Sequence, residues 1–237
     1  VRARLPLLIA VPTTAGTGSE TTLAAVITDA DTRHKYAIND FPLIPRYAVL
    51  DPAITVSLPP ALTASTGMDA LTHAVEAYIG RSTTRDTREA SLTAVRLIFE
   101  NLDTAYADGN NLTARRNMLH ASYLAGCAFT KSYVGYVHAV AHSLGGVYNV
   151  PHGRANAVIL PMVLEAYGSA AHRRLAELAR AAGIAGADVP APEAAGRFIQ
   201  AVKDMKRRFG IGDTIPELKR ADIPRLARYA AREGNPL

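Results

Sequence analysis

Two short windows that lie far apart in the chain most constrain what this sequence can fold into. The first, GMDALTHAVE at residues 67–76, places an acid and a histidine, Asp69 and His73, four residues apart. The second, YVHAVAHSLGGVYNVPHG at 136–153, contains three of the chain's seven histidines: His138, His142 and His152. Residues four apart on a helix project from one face. A fold that brings these two windows together would therefore direct a carboxylate and several imidazoles to one point.

That combination of side chains is typical of a divalent cation site. The Asp69 and His73 pair alone is a weak signal, because acids and histidines at this spacing usually form surface pairs. The second window is apolar, however, and buried histidines need polar partners. One oxygen and three nitrogens would leave a coordination position open, as catalytic metal sites require. We predict these ligands: Asp69, His73, His138 and His152.

His142 is the remaining histidine of the second window. It lies one helical turn after His138 on the same face. We predict that it lies near the open position without ligating, where an imidazole can relay protons at neutral pH.

Composition excludes several classes of function. About half of the 237 residues are hydrophobic and only 6% are aromatic, which favours packed helices. The net charge of +5 is spread over predicted helix surfaces without a basic stripe and interleaved aromatics, so we expect no nucleic-acid partner. Because neither a membrane-length apolar run nor a signal peptide is recognisable, we expect no membrane partner and a cytoplasmic location. Cys127, the single cysteine, is predicted to be a small buried side chain.

The pattern of elements changes near Asp51. Before it we predict a buried strand at 5–11, a loop at 12–20 and a hairpin from 23–28 and 35–38. After it, helical periodicity continues almost to the end, with predicted helices at 60–66, 68–80, 86–106, 111–129, 136–147, 154–167, 170–182, 192–209 and 222–232. We therefore predict two domains: an α/β remnant at 1–51 and an all-helical body at 52–237. The chain opens on Val1 directly before a strand-like run, so we expect a fragment of a longer protein.

The loop at 12–20, PTTAGTGSE, is rich in hydroxyl groups and glycines. Such a loop after a strand suits an anionic or sugar-bearing ligand, although a plain surface loop is the commoner explanation. The glycine pattern of a dinucleotide fingerprint, Gly-x-Gly-x-x-Gly leading into a helix, is not present in this loop.

Taken together, PTTAGTGSE, GMDALTHAVE and the segment 135–157 closely resemble the iron-containing (group III) alcohol dehydrogenase family. The resemblance covers nearly the whole chain in order. It implies a dehydroquinate synthase-like fold, mostly helical and truncated at its N-terminus. In that fold an α/β dinucleotide-binding domain and an all-helical metal domain enclose the active site in a cleft.

The resemblance also implies roles for individual residues. The metal-binding positions of the family match Asp69, His73, His138 and His152, and the position matching His142 lies near the nicotinamide and takes part in catalysis. Phe129 matches a position near the substrate. Five further residues match positions on the cofactor side of the cleft: Thr13, Thr14, Ser19, Thr22 and Lys35.

The implied reaction is hydride transfer between a primary or short-chain alcohol and NAD or NADP, with Fe²⁺ or alternatively Zn²⁺ polarising the alcohol oxygen. We also expect a homodimer. Three other interpretations stay open: a metal-dependent lyase of the dehydroquinate synthase type, a maleylacetate reductase-like enzyme, and an inactive metal-binding module. The maleylacetate reductases tend to lack the acid that Asp69 supplies. Family members carry a long segment before the Thr/Gly loop, so we expect this chain to bind metal better than cofactor.

Overall fold

The N-terminal part contains two small pairs of strands. The computed structural model describes residues 5–33 and 35–233. Strand β1 (Ile9–Ala10) pairs in parallel with β4 (Tyr47–Ala48), whereas β2 (Ala24–Thr28) and β3 (Lys35–Asn39) form an antiparallel hairpin. The predicted hairpin is therefore confirmed.

The prediction of a buried strand at 5–11 is wrong. The strand is two residues long, and Leu7, Leu8 and Ile9 are each more than half exposed. Within the described residues β1 pairs with β4 alone, so its apolar side chains lack the second layer that buries the strands of a parallel sheet.

From residue 60 onward the described chain is helical, as predicted. The helices are α1 (Pro60–Ile79), α2 (Arg85–Ala107), α3 (Leu112–Ser132), α4 (Tyr136–Tyr148), α5 (His152–Tyr167), α6 (His172–Ala181), α7 (Ala191–Arg208) and α8 (Ile223–Glu233). None of the helices described is both long and apolar enough to cross a bilayer.

Helix α1 is the central element of this body. Every one of its residues from Gly67 to Ile79 is buried, and it packs against α2, α3 and α5. We predicted two helices with a break at Gly67, and that is wrong. The glycine is needed for packing, since a Cβ there would lie 2.4 Å from Cδ1 of Leu102 on α2. A helix buried on all sides tolerates such a residue where a neighbour approaches closely.

The connection between α4 and α5 determines where the second window points. Helix α4 is followed by its C-cap residue Asn149, which adopts a left-handed conformation with φ of 55°. Asparagine accepts this conformation more readily than most residues, and it commonly terminates helices. Helix α5 then begins at His152, two residues earlier than predicted, and packs back against α4. His152 is therefore the first residue of a helix instead of part of a turn.

Two apolar cores hold the helices together. The larger one centres on α1 and includes the fully buried side chains of Met68, Leu71, Ile98 and Phe198. A smaller core joins α4, α5 and α8 through Leu144, Val158 and Leu226, among others. The two histidine-bearing windows lie where α1, α4 and α5 meet.

Candidate metal centre

The two sequence windows converge on one buried cluster. Asp69 and His73 project from the same face of α1, and His138 projects from the first turn of α4. One ligand atom from each of these three residues lies within 4.8 Å of the others, and all three residues are buried. One carboxylate oxygen and two imidazole nitrogens are thus close enough to share a cation.

His152 and His142 extend the cluster on its more open side. Nε2 of His152 lies 3.4 Å from Oδ1 of Asp69, and Nε2 of His138 lies 3.6 Å from the same oxygen. The His152 side chain is 29% exposed, in contrast to 2% for His138. His142 stacks on His152 with ring centroids 5.2 Å apart and meets His138 edge-on at 6.1 Å. All four predicted ligands and the predicted proton relay are therefore adjacent.

The Thr/Gly loop helps to orient His73. Nδ1 of His73 lies 3.3 Å from the carbonyl oxygen of Gly16, which leaves Nε2 as the nitrogen available to a ligand. Its ring stacks on Phe129 and on His138, in each case with centroids 4.3 Å apart. A hydrogen bond at the far nitrogen and packing on both faces fix an imidazole in the way that metal-ligating histidines require.

Asn156 lies at the centre of the cluster. Its Nδ2 is 2.6 Å from Oδ1 of Asp69 and 3.2 Å from Nε2 of both His138 and His152. Oδ1 of Asn156 and Nδ1 of His152 are buried, and neither has a hydrogen-bond partner among the described residues. Because buried polar atoms are nearly always satisfied, these two indicate that the described side chains alone do not complete the site.

Burial and charge set the protonation of the ligands. Burial lowers the pKa of His73 to about 4 and that of His152 to about 3, so both imidazoles have free lone pairs at neutral pH. Burial raises the pKa of Asp69, but His73 and His152, which become charged in acid, and a hydrogen bond with His138 outweigh this and hold the pKa well below its usual range. Burial lowers the pKa of His138, yet its hydrogen bonds with Asp69 and Glu76 raise it to about 9. The cluster therefore holds a proton that a divalent cation would displace, because both compete for the same lone pairs. This donor set fits a divalent transition metal.

The cluster opens into a cleft of about 830 Å³ between the hairpin and the helices. Asp69, His73, His138, His142 and His152 line it, as do four residues that the resemblance associates with cofactor or substrate: Ser19, Thr22, Lys35 and Phe129. Thr13 is exposed, Thr14 is partly buried, and neither is among the residues that line this cleft. Their role in cofactor binding stays a prediction.

Two residues of the cluster were missed by sequence reasoning. Glu76 is seven residues after Asp69, and Asn156 is four residues after His152, so each shares a helix face with a predicted ligand. A buried acid in an apolar helix was the available signal for Glu76. For Asn156 the signal was only its spacing, which many surface asparagines share.

Comparison with known proteins agrees with this geometry. The sequence model described as Fe-containing alcohol dehydrogenase family, C-terminal, matches residues 63–236, and the model for iron-containing alcohol dehydrogenase matches residues 1–52. The chain is 44% identical over 233 residues to 1,3-propanediol dehydrogenase of Klebsiella pneumoniae, covering 98% of this chain and 60% of that protein. It is 43% identical over 236 residues to alcohol dehydrogenase 4 of Saccharomyces cerevisiae, with the same two coverages.

Solved structures give the same result. The crystal structure of a 1,3-propanediol oxidoreductase matches with a TM-score of 0.94 and 42% identity, over 100% of this chain and 62% of that one. The alcohol dehydrogenase of Oenococcus oeni matches with a TM-score of 0.94 and 41% identity, over 99% and 62% of the two chains. The chain thus spans about 60% of the length of these relatives. With a family model matching most of its length and the fold shared along the whole of it, the chain belongs to the iron-containing alcohol dehydrogenase family.

Proposed function

We propose that this chain is the metal-binding part of a nicotinamide-dependent alcohol dehydrogenase that interconverts a primary or short-chain alcohol and its aldehyde. The observation that carries the proposal is the convergence of Asp69, His73 and His138 beside a cleft that His142 and Lys35 also line. Relatives named 1,3-propanediol dehydrogenase, 1-propanol dehydrogenase and NAD-dependent methanol dehydrogenase support the substrate class. Their names favour this reaction over a lyase of the dehydroquinate synthase type.

The cation is proposed to be Fe²⁺, with Zn²⁺ as the alternative, held by Asp69, His73, His138 and His152. When bound, it would supply the Lewis acidity that lowers the pKa of an alcohol hydroxyl, while NAD or NADP accepts the hydride. The residues of this chain would contribute orientation and a dry environment, because Asp69 and His138 are only 2% and 1% exposed.

We further propose the domain boundary near Asp51 and a homodimer as the assembled form.

The test of this proposal is metal content together with nicotinamide-linked turnover. Protein purified without chelator should contain close to one equivalent of Fe²⁺ or Zn²⁺ by elemental analysis. The complete gene product should reduce NAD or NADP with short-chain alcohols, and removal of the metal should abolish that activity. NAD(H) binding by the 237-residue chain would count against a purely metal-binding module. Protein without stoichiometric metal, or turnover that survives chelation, would refute the proposal.

His142 is proposed to relay the alcohol proton toward solvent. It lines the cleft and stacks on His152, and its ring centroid lies 6.1 Å from that of His138. Replacing His142 with Ala is therefore expected to leave metal content unchanged and to lower kcat about a hundredfold, the lower range for loss of a general acid or base. Steady-state kinetics and elemental analysis of the complete gene product measure both effects.

The matched control is His120→Ala, which removes an exposed histidine on α3. Loss of metal in the His142 variant would mean that this residue is a ligand.

Lys35 is proposed to contact the anionic cofactor. It is the first residue of β3, lines the cleft, and approaches α4, where its Nζ would lie 4.0 Å from a Cβ at Gly145. Removing a charge-assisted hydrogen bond costs about 1.5 kcal/mol, so Lys35→Ala should weaken NAD(H) binding about tenfold. Titration calorimetry measures this change, and metal content should stay the same. Lys131→Ala, which removes an exposed lysine outside the cleft lining, is the control. Unchanged NAD(H) affinity in the Lys35 variant would exclude this contact.

A further inference from the structure

The carboxylate of Glu76 joins α1 to the start of α4. Glu76 is 3% exposed and lies one helical turn after His73. Its Oε1 accepts a hydrogen bond from the backbone N–H of Val137 at 2.7 Å, and its Oε2 accepts one from that of Gly135 at 2.9 Å. The backbone nitrogen of His138 is 3.4 Å from the same Oε2, and Nδ1 of His138 is 2.6 Å from it.

Helix α4 depends on this carboxylate because it has no side-chain cap of its own. Its N-cap residue is Gly135, which makes no side-chain capping bond. The first N–H groups of a helix have no partner within the helix and attract negative charge. Glu76 therefore supplies from α1 the acceptors that a capping Ser or Asp would supply locally.

The same carboxylate determines which nitrogen of His138 is free. A neutral imidazole carries its proton on one nitrogen only, and the other is then an acceptor. With Nδ1–H donating to Glu76, Nε2 is the nitrogen that faces Oδ1 of Asp69 at 3.6 Å, and its lone pair becomes available when a cation displaces the proton there. We propose that Glu76 is a positioning residue that fixes both the start of α4 and the ring of His138, so that Nε2 is presented to a divalent cation. This inference rests on the proposed metal site, to which it adds a residue that contacts a ligand instead of the cation.

Glutamine cannot reproduce these contacts even though it has the same shape. Both oxygens of Glu76 accept hydrogen bonds from N–H groups. A glutamine must place its NH₂ group at one of the two positions, facing either Val137 N–H or the cluster of Gly135 N–H and His138 Nδ1. In the second orientation His138 would have to accept at Nδ1, so its proton would move to Nε2 and block the ligating nitrogen. The Glu76→Gln variant therefore tests the tautomer with little change in packing.

The experiment compares cation affinity and the Co²⁺ absorption spectrum of wild type, Glu76→Gln and Glu76→Asp. The visible bands of bound Co²⁺ report ligand identity and geometry, which a merely structural role would not alter. We expect Glu76→Gln to weaken Zn²⁺ and Co²⁺ binding at least tenfold and to change the spectrum, as loss of an outer-sphere partner typically does. Glu76→Asp keeps both acceptors and the charge, so it should recover part of the lost affinity.

The matched control removes a helix cap elsewhere. Thr84 caps α2 by accepting a hydrogen bond from the backbone N–H of Thr87 at 3.3 Å. Replacing Thr84 with Ala should lower Tm by about 2–4 °C without changing metal affinity. Wild-type affinity and spectrum in Glu76→Gln, or equal losses in the Gln and Asp variants, would overturn the inference. A wild-type protein that binds neither cation would instead refute the proposed metal site. In that case the ¹⁵N chemical shifts of the histidine rings, recorded above the pKa of His138, would still report whether Glu76 sets the tautomer of the neutral ring.

Discussion

Replacing Asp69 with Ala is expected to lower the affinity for Zn²⁺ or Fe²⁺ by about a hundredfold to a thousandfold and to abolish turnover. Among the described residues, Asp69 supplies the only carboxylate in the group of three ligand atoms that lie within 4.8 Å of one another. Four-ligand zinc sites bind with about 10–16 kcal/mol, so one ligand accounts for about 3 kcal/mol of the binding free energy. A loss of about 3 kcal/mol lowers affinity somewhat more than a hundredfold. In the proposed reaction a bound cation would contribute several kcal/mol through its Lewis acidity, so kcat should fall about 10³-fold or more.

The same substitution also disturbs its neighbours. Nδ2 of Asn156 would lose its closest acceptor, Oδ1 of Asp69 at 2.6 Å, and both of these residues are buried. Asp69→Asn keeps the shape and removes only the charge, and it should still lose at least tenfold in affinity. Competition titration with a chromophoric chelator measures binding, and kinetics of the complete gene product measure turnover.

The control for Asp69 is an aspartate on a neighbouring helix. Asp103 on α2 forms an exposed ion pair with Arg208 at 2.7 Å, and the two side chains are about half exposed. Surface pairs contribute about 1 kcal/mol or less, so Asp103→Ala should change neither metal content nor turnover. Metal bound by the Asp69 variants with wild-type affinity would remove this carboxylate from the ligand set.

The parts of the site that could be predicted from the sequence are those formed by residues close together in the chain. Asp69 and His73 share one helix face because they are four apart, and the helical periodicity around them was clear. The approach of α4 and α5 to α1, in contrast, is decided by packing between residues far apart in sequence. The periodicity of a single helix contains no information about such contacts. The chemistry of the four side chains predicted a shared cation, and the resemblance to a known family implied the same ligands.

The errors had local physical causes. Gly67 was interpreted as a break because glycine has low helix propensity, but tertiary packing against Leu102 outweighs that preference. The apolar run at 5–11 was interpreted as a buried strand from its hydrophobicity, but hydrophobicity alone does not show whether a covering layer exists. Glu76 received no role because its partners are backbone N–H groups of another helix, which are invisible in a sequence.

Gly153 is a position where a single added methyl group is expected to harm the fold severely. It is the second residue of α5, immediately after His152. A Cβ at this position would lie 2.2 Å from the backbone oxygen of Ser65 on α1 and 2.7 Å from its carbonyl carbon. A backbone group cannot rotate away as a side chain can, so the two helices would have to separate by about 1 Å. Overpacking of this kind costs about 3 kcal/mol.

We therefore expect Gly153→Ala to lower Tm by about 6–12 °C, since 1 kcal/mol corresponds to about 2–4 °C in a domain of this size. Metal affinity should also fall at least tenfold, because Nε2 of His152 lies 3.4 Å from Asp69 and moves with α5. Calorimetry and metal titration measure the two effects.

The matched control is Gly196→Ala, at an exposed position in the middle of α7, where a Cβ meets nothing within 4 Å. There the change should stabilise the protein by about 0.5–1 kcal/mol, because alanine has a higher helix propensity than glycine. If both variants gained stability, α1 and α5 would not be in backbone contact at Gly153. The position assigned to His152, which depends on that contact, would then also be wrong.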